Sequence, residues 1–265
     1  MKIALGQMHI RWEDKAANLA RVENWMELLK ENNVDLFTLP EMSLTGFSMH
    51  TELTKETDNI TVAEAKKLAR NYQMAVGIGW VKDEGKFCEN RYSIVTPEGE
   101  ILEYTKLHPF SYSGEDRYFQ GGTVLPVCEY RGYHLGVQIC YDLRFPEAFQ
   151  ALSRQADLIL VPANWPGRRR EHWISLLQAR AIENQCYIAG VNCVGDMDGQ
   201  TYTGDSRLYG PDGALCSGET LMPADAQPGE CAFIYEIDDQ VKKVRTQFPV
   251  KKDRRDALYR QFYEI

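Results

Sequence analysis

The stretch GVQICYDLRFPE, residues 136–147, connects a buried strand to a helix and decides the fold. Its apolar start ends a strand that the pattern predicts over Tyr133–Ile139. Pro146 suits the first turn of a helix, and Glu147 suits the positive end of that helix. Because a proline disfavours helical backbone in the residue before it, Phe145 lies in a sharp turn. The stretch therefore predicts a strand, a tight turn and a helix in direct succession.

Outward from this connection, strands and helices alternate in both halves of the chain. Apolar runs predict seven strands, and apolar residues at helical spacing predict four helices. This rhythm is typical of βαβ units whose sheets are covered by helices, so we predict an α/β fold. The predicted strands are Lys2–Met8, Val34–Leu39, Met74–Trp80, Tyr133–Ile139, Asp157–Val161, Gln185–Asn192 and Glu230–Ile237; the helices are Lys15–Asn32, Thr61–Asn71, Pro146–Arg154 and His172–Asn184, with Thr61 as N-cap and Glu64 closing a capping box.

Two hairpins follow the βαβ-like stretches, one in each half. The first turns on Pro97-Glu98-Gly99 within 91–104, and the second turns on Pro211-Asp212-Gly213 within 208–216. Their recurrence indicates two similar halves packed on each other, although such turns are common enough to recur by chance. A charged tail is expected after the last strand. Because no low-complexity linker interrupts the chain, we predict a single domain over residues 1–265.

Charge and cysteine content exclude several classes of function. The net charge of -8 and the pI of about 5.3 argue against a nucleic-acid or anionic-membrane partner, since both require a basic face. No window holds 18 consecutive apolar residues, and the N-terminus does not read as a signal peptide. The seven cysteines are odd in number and contain no C-x-x-C pair, so we expect reduced thiols, a cytoplasmic location and no structural zinc.

One of these cysteines, Cys140, occupies the turn between the strand and the helix of the opening stretch. A thiol on such an elbow is exposed at the edge of the sheet, where backbone N–H groups point toward it. The N–H of Tyr141 is then the natural donor to an oxyanion. We therefore regard Cys140 as a candidate nucleophile, against the alternative of one more buried structural cysteine.

Two charged residues follow the ends of other strands. Glu41 comes just after the strand Val34–Leu39, at the edge of the sheet where ligands collect in α/β folds. Lys106 comes after the second strand of the first hairpin, and a buried ammonium beside a thiol stabilises a thiolate and a later oxyanion. The alternatives are a solvated loop glutamate and a surface lysine.

Together these segments resemble the nitrilase superfamily of carbon–nitrogen hydrolases, and the resemblance covers nearly the whole chain. Within that superfamily the chain is most similar to the omega-amidase-like enzymes. The motifs that carry the resemblance are IALGQM (3–8), LPEMSLTGF (39–47), YTKLHPF (104–110), CYDLRFPE (140–147), VPANWP (161–166), LLQARAIENQ (176–185) and TGDSRLYGPDG (203–213).

The resemblance implies a fold and a catalytic set. The fold is a four-layer α–β–β–α sandwich, and pairing of two such sandwiches implies a homodimer. The Glu, Lys and Cys of the superfamily correspond to Glu41, Lys106 and Cys140, and a second active-site glutamate corresponds to Glu115. The implied reaction hydrolyses an amide of a small molecule through a thioester on cysteine and requires no metal or organic cofactor.

The resemblance also assigns residues to the substrate. Arg144 is expected to bind a substrate carboxylate, since a guanidinium holds one bidentately, unless it pairs with Asp142 or Glu147. Asn164 and Trp165 are expected to line the site, together with the backbone of Tyr141. Phe47, Phe110 and Tyr112 are further candidates for its walls, although generic packing is the safer interpretation of these three, and Glu183 is expected to be a structural partner.

Other functions remain open at this point. N-carbamoyl amines, simple aliphatic amides and modified peptides are alternative substrates within the superfamily. A Cys–His dyad that uses His108 or His172 is a competing mechanism. A catalytically silent binding member is the alternative outside enzymes, but it is disfavoured because all three catalytic positions are filled. Phosphate-loop chemistry is excluded, because Gly77-Ile78-Gly79 lacks the third glycine.

Overall fold

The computed structural model describes residues 1–264, which form fifteen strands, seven α-helices and short 3₁₀ turns. The strands are β1 (Lys2–Gln7), β2 (Leu36–Thr38), β3 (Lys55–Glu56), β4 (Ala75–Asp83), β5 (Cys88–Val95), β6 (Glu100–Thr105), β7 (Val127–Tyr130), β8 (Tyr133–Val137), β9 (Leu158–Ala163), β10 (Tyr187–Asn192), β11 (Val194–Met197), β12 (Gln200–Thr203), β13 (Arg207–Tyr209), β14 (Glu219–Leu221) and β15 (Cys231–Glu236). The helices are α1 (Lys15–Lys30), α2 (Thr51–Thr54), α3 (Ile60–Tyr72), α4 (Pro146–Leu152), α5 (Arg170–Asn184), α6 (Gln240–Gln247) and α7 (Asp256–Tyr263). Among residues 1–264, no helix combines the length and the apolar character that a bilayer-spanning segment requires.

The strands assemble into two large sheets and one small one. The first sheet has the order β14-β15-β1-β2-β4-β5-β6, with β3 also paired to β4, and the second has the order β13-β10-β9-β8-β7. Strands β11 and β12 form a separate antiparallel pair. At the centre of each large sheet lie three parallel strands connected through helices: β1, β2 and β4 in the first, and β8, β9 and β10 in the second. The two halves of the chain therefore share one βαβαβ plan, and an antiparallel strand follows each.

Three apolar clusters hold these layers together. One joins α1 and α3 to the outer face of the first sheet through residues such as Trp25 and Phe37. A second joins α4 and α5 to the outer face of the second sheet, and Trp173 and Ile188 belong to it. The third lies between the sheets and includes Leu5 and Leu160. The molecule is therefore the predicted α–β–β–α sandwich.

The predicted start of α3 is wrong. The helix begins at Ile60, one residue before Thr61, and Asn59 precedes it with left-handed backbone. Thr61 does not cap the helix with its side chain. Instead its N–H and its hydroxyl both donate to the Glu56 carboxylate, at 2.9 and 2.5 Å. A carboxylate from β3, a strand that the sequence pattern did not reveal, thus replaces the predicted capping box.

The second hairpin and the tail also differ from the predictions. After the turn at Pro211–Gly213, only a single bridge from Tyr209 to Leu215 forms, so the returning arm is not a strand. The charged tail contains the helices α6 and α7. Arg245 of α6 donates to the carbonyls of Ala156 and Gln185, at 2.9 and 3.0 Å. Its charge therefore satisfies carbonyl groups left beyond the ends of α4 and α5.

Candidate active site

Cys140 lies on a strained elbow between β8 and α4. It begins a 3₁₀ turn over Cys140–Arg144, and its φ of 46° lies in the left-handed region that only glycine adopts without strain. The next residue, Tyr141, leaves its backbone N–H without a partner among the hydrogen bonds of residues 1–264. The elbow thus carries a thiol and a free backbone donor on adjacent residues.

The Asp142 side chain holds this elbow in place through hydrogen bonds. Its side chain is fully buried and accepts hydrogen bonds from the Ile139 N–H at 2.9 Å and the Tyr104 hydroxyl at 2.8 Å. The N–H of His108 donates to it at 3.0 Å, and Nδ1 of the same residue lies 2.7 Å away. Asp142 therefore ties the turn to β6 and to the segment that follows Lys106.

Glu41 follows β2 and is completely buried. Its position is fixed by β4, because a Cβ on Gly79 would approach the Met42 nitrogen to 2.4 Å. The Ser43 N–H donates to the Gly79 carbonyl, and the Gly79 N–H donates back to the Ser43 hydroxyl, at 3.0 and 2.9 Å. A glycine is thus required where the Glu41 backbone packs directly on the sheet.

Lys106 lies directly after β6, and two carboxylates surround its ammonium group. Nζ is 2.8 Å from Oε1 of Glu41 and 2.9 Å from Oε2 of Glu115, and all three side chains are at most 1 % exposed. Burial alone would lower the pKa of Lys106, but the charges of Glu115 and Glu41 raise it above the ordinary lysine value. The lysine is therefore a permanent cation in the site.

Asn90 of β5 is a further member of this group that the sequence pattern did not reveal. Its Nδ2 donates to Oε1 of Glu41 at 2.8 Å and to Oε1 of Glu115 at 3.1 Å. Burial raises the pKa of Glu115, while the Lys106 charge opposes that shift. The signal that could have revealed Asn90 is its register in the first hairpin, where its carbonyl accepts the Lys106 N–H at 2.9 Å.

The surroundings of the Cys140 thiol favour its protonated form. Burial raises its pKa well above the ordinary cysteine value, and the charge of Glu41 raises it further, whereas Lys106 lowers it. A thiol of this kind needs a base in contact with it before it can attack a carbonyl carbon. Glu41 is the carboxylate that acts on it most strongly.

The thiol opens into a cavity of about 230 Å³. This volume is below the roughly 300–1,000 Å³ of pockets for drug-sized ligands, so the cavity suits a small linear molecule. Glu41 and Glu115 do not line it and lie behind Lys106. The predicted site residues that do line it are Lys106, Cys140, Tyr141, Arg144, Asn164 and Trp165.

Arg144 faces the cavity without a counter-ion. Its guanidinium lies 4.8 Å from the centre of the Trp165 ring, and none of the ion pairs described for residues 1–264 involves it. The predicted alternative, pairing with Asp142 or Glu147, does not occur. Burial lowers the pKa of Arg144, and the nearby charge of Arg169 lowers it further. Arg144, Arg168 and Arg169 therefore line one small cavity, and the carboxylate among its lining residues, Asp198, forms no ion pair described for residues 1–264.

Arg169 was also missed by the sequence analysis, because it lies in a run of three arginines that looks like a solvated surface. Its guanidinium packs on the rings of Phe110 and Tyr112, at 5.3 and 5.5 Å. Phe110 and Phe47 line the cavity as predicted, whereas Tyr112 is 78 % exposed and lies outside it. Arg169 thus lines the cavity and packs against the loop that follows Lys106.

Asn164 reaches the cavity but is also committed to Glu41. Its N–H donates to Oε2 of Glu41 at 3.0 Å, and its Nδ2 donates to the Glu41 carbonyl at 2.6 Å. The Cys193 thiol in turn donates to Oδ1 of Asn164 at 3.2 Å. Asn164 was predicted to contact the substrate. The structure gives it a second role, which is to hold Glu41 in place.

The two histidines of the competing dyad do not contact the Cys140 thiol through any hydrogen bond described for the chain up to residue 264. His108 is held by Asp142 and stacks on Phe145, with ring centres 3.8 Å apart. His172 lies 3.3 Å from the Arg144 guanidinium. Glu183 pairs with Arg180 at 3.0 Å, as a structural partner would. The geometry therefore favours a base other than histidine.

No group of three or more His, Cys, Asp or Glu side chains within residues 1–264 is arranged to hold a metal ion. The side chains and backbone at the cavity supply a thiol, a carboxylate behind it, an ammonium and a free N–H. This set can transfer an acyl group to sulfur and then to water.

Comparison with known proteins places the chain among amidases. A family model described as "Carbon-nitrogen hydrolase" matches residues 2–242. The "Omega-amidase YafV" of Yersinia enterocolitica is 34% identical over 256 residues, which are 96% of each chain. The "2-oxoglutaramate amidase" of Bacillus subtilis is 32% identical over 259 residues, covering 96% of this chain and 97% of that protein.

Solved structures give the same result for the fold. A "CN-hydrolase Superfamily Protein" from Xanthomonas campestris superposes with a TM-score of 0.86 and 31% identity, over 96% of this chain and 97% of the other. Its description places an arsenic adduct in its active site. A carbon-nitrogen hydrolase from Helicobacter pylori superposes with a TM-score of 0.88 at 19% identity, over 99% and 97% of the two chains, which supports the fold alone.

Proposed function

The chain belongs to the carbon–nitrogen hydrolase family, and on that premise we propose that it is an omega-amidase-like amidase acting on a short dicarboxylic acid monoamide. The observation that carries this choice is Arg144, which faces the cavity beside Cys140 without a counter-ion. A buried or half-buried guanidinium without a partner is costly, and a substrate carboxylate would supply the partner. The names of the relatives, omega-amidase and 2-oxoglutaramate amidase, support the same substrate class.

We propose that Cys140, Glu41 and Lys106 carry the reaction. Glu41 accepts the thiol proton as the Cys140 sulfur attacks the amide carbon. The oxyanion lies between the Tyr141 N–H and the Lys106 ammonium. The Lys106 ammonium donates to one oxygen of Glu41 and to both oxygens of Glu115, and it lines the cavity, so an oxyanion would take over a donor that Glu115 shares between its two oxygens. Glu41 then returns its proton to the leaving nitrogen, and ammonia departs from a thioester on Cys140.

The second half of the reaction repeats these steps with water. Glu41 takes a proton from a water molecule, whose oxygen attacks the thioester carbon. The acid is released, and the proton returns to the Cys140 sulfur. Glu115 pairs with Lys106 and, unlike Glu41, is not among the groups that shift the pKa of Cys140, so we assign it the positioning of Lys106 rather than the role of base. No metal or organic cofactor enters these steps.

A screen for ammonia release tests this substrate class. The panel contains dicarboxylic monoamides, neutral aliphatic amides of similar length, N-carbamoyl amines and nitriles. We expect kcat/KM to be greatest for the monoamides, because only they offer a carboxylate to Arg144. A preference for N-carbamoyl amines would indicate an N-carbamoyl amine hydrolase instead, and a preference for neutral amides would indicate an aliphatic amidase. Release from none of them would indicate a binding member.

Arg144→Leu is expected to lower kcat/KM for a dicarboxylic monoamide by about ten- to a hundredfold, because a hydrogen bond to a charged group contributes roughly 1.5–3 kcal/mol. Turnover of a neutral amide of similar length should change far less. Steady-state kinetics on both substrates measure the difference.

The matched control for this variant is Arg154→Leu, which removes an exposed arginine two residues after the end of α4. It should leave both substrates unchanged. A parallel loss on both substrates in Arg144→Leu would instead make Arg144 structural, since a folding defect does not discriminate between them.

We also propose that two chains pair through the face formed by α5 and the tail. Ile182 and Phe248 line one surface groove there and are 53 % and 69 % exposed. Large apolar side chains that cluster on a surface are typical of an interface. Sedimentation equilibrium should therefore give twice the mass of the chain, and a monomer at micromolar concentration would contradict the pairing.

The remaining proposals concern location and domain organisation. All seven cysteines are free thiols, which supports the cytoplasm as the place of action. Activity that persists in a reducing buffer and is lost under oxidising conditions would agree with this. We propose one domain over residues 1–265, because the central cluster joins both sheets. One cooperative unfolding transition is then expected, and two separate transitions would contradict it.

A further inference from the structure

Asn90 has an environment that ordinary packing does not explain. It lies on the buried face of β5 and is 1 % exposed. Its Nδ2 donates to two carboxylates, but its Oδ1 is buried and receives no hydrogen bond from any residue in 1–264. An unsatisfied buried acceptor destabilises a protein, so a polar side chain at this place requires another reason.

Lys106 and Asn90 donate to the same two oxygen atoms, one of Glu41 and one of Glu115. Lys106 Nζ lies 2.8 Å from Oε1 of Glu41 and 3.1 Å from Oε1 of Glu115. Asn90 Nδ2 contacts those same two oxygens at 2.8 and 3.1 Å. Two donors and two acceptors thus alternate around a closed ring. A flipped amide would point Oδ1 at both carboxylates, so the network fixes which end faces them.

Charge explains why a second donor is needed. Two buried carboxylates in contact with one amide nitrogen repel each other, and Lys106 supplies a single positive charge. Within residues 1–264, the other titratable groups beside Glu41 are the thiols of Cys140 and Cys193 and the hydroxyl of Tyr202, none of which supplies a positive charge. Without a further donor, a proton shared between the carboxylates would relieve the repulsion, and Glu41 would no longer accept one from Cys140.

We propose that Asn90 is a positioning residue for the reaction, which ties Glu41 to Glu115 and holds the Glu41 carboxylate directed at the Cys140 thiol. Asn90 does not line the cavity, so it acts through the carboxylates and not on the substrate. This inference rests on the role of base proposed above for Glu41. The unsatisfied Oδ1 destabilises the fold. The inference explains why it is retained: the two carboxylates require a donor that carries no charge.

The test compares Asn90→Leu with Asn184→Leu. Asn184 is a fully buried asparagine of α5 that bonds to the Arg180 carbonyl, so its loss affects stability alone. We expect Asn90→Leu to lower kcat by about ten- to a hundredfold and to leave KM within about twofold. The acid limb of its kcat/KM profile should move to higher pH by about one unit. Asn184→Leu should keep the parent profile.

Asn90→Asp is the second variant, because it preserves the size of the side chain and replaces the donor by an acceptor. Its acid limb should also move to higher pH, and further than that of Asn90→Leu. If the variants that fold keep the parent kcat and the parent acid limb, Asn90 is structural and the inference is wrong. Glu41→Gln is measured in parallel. Parent turnover in Glu41→Gln would overturn the base itself, whereas an inactive Glu41→Gln beside unchanged Asn90 variants would overturn the positioning role alone.

Discussion

Cys140→Ala is expected to lower amide turnover by at least about 10⁴-fold, because removing the nucleophile of a covalent hydrolase leaves only binding and oxyanion stabilisation. The substitution removes one sulfur atom at the cavity and leaves the Cβ and the backbone of the turn unchanged, so the fold should be retained. Initial rates of ammonia release measure the loss, and thermal unfolding confirms that the variant is folded.

The control uses Cys216, another partly buried thiol, which lies outside the cavity. Burial raises its pKa to about 11, and Cys216→Ala should keep the parent rate. Alkylation that abolishes activity should map to Cys140 with one label per chain. Parent turnover in Cys140→Ala would rule out the thioester mechanism.

Lys106→Met is expected to lower kcat by at least about 10²–10³-fold, the effect of removing one oxyanion donor. The structure adds a second consequence that the sequence did not predict. Without the ammonium, Glu41 and Glu115 face each other in a buried site, and removing one partner of a buried ion pair typically costs about 3–5 kcal/mol. We therefore expect lower stability as well as slower turnover, measured by denaturant unfolding and by kinetics below the transition.

The variant His108→Ala distinguishes the mechanism proposed for Glu41, Lys106 and Cys140 from the Cys–His dyad. His108 contacts Asp142 beneath the elbow and not the thiol, so its loss should have a much smaller effect on kcat than that of Lys106. A folded Lys106→Met with parent kcat, together with an inactive His108→Ala, would favour the dyad and contradict the proposed roles.

Much of the fold could be predicted because periodicity reports burial directly. The strands β1, β4, β8, β9 and β10 are nearly continuous apolar runs, and the turn at Cys140 is bounded by a proline. The family resemblance and the four-layer sandwich are both confirmed. Short edge strands such as β3 and β14 were missed, since two or three residues carry no period.

The candidate site was predictable only where a residue follows the end of a strand. Glu41, Lys106 and Cys140 have this position, and the structure brings them together; their catalytic roles stay predictions. Asn90 could not be recognised from the sequence. Side chains alternate between the two faces of a strand, so a polar residue inside a strand is ordinarily expected on the face exposed to solvent. Its buried partners come from distant segments of the chain, and only the fold brings them to one point.

The most direct test of the account is the trapping of the acyl group by hydroxylamine during hydrolysis of a dicarboxylic monoamide. A thioester on Cys140 partitions between water and any added nucleophile, so a hydroxamate should form in proportion to the hydroxylamine concentration while ammonia release continues. Cys140→Ala should form neither product. Hydrolysis at the parent rate with no hydroxamate at any hydroxylamine concentration would contradict the covalent intermediate, and with it the proposed roles of Glu41, Lys106 and Cys140.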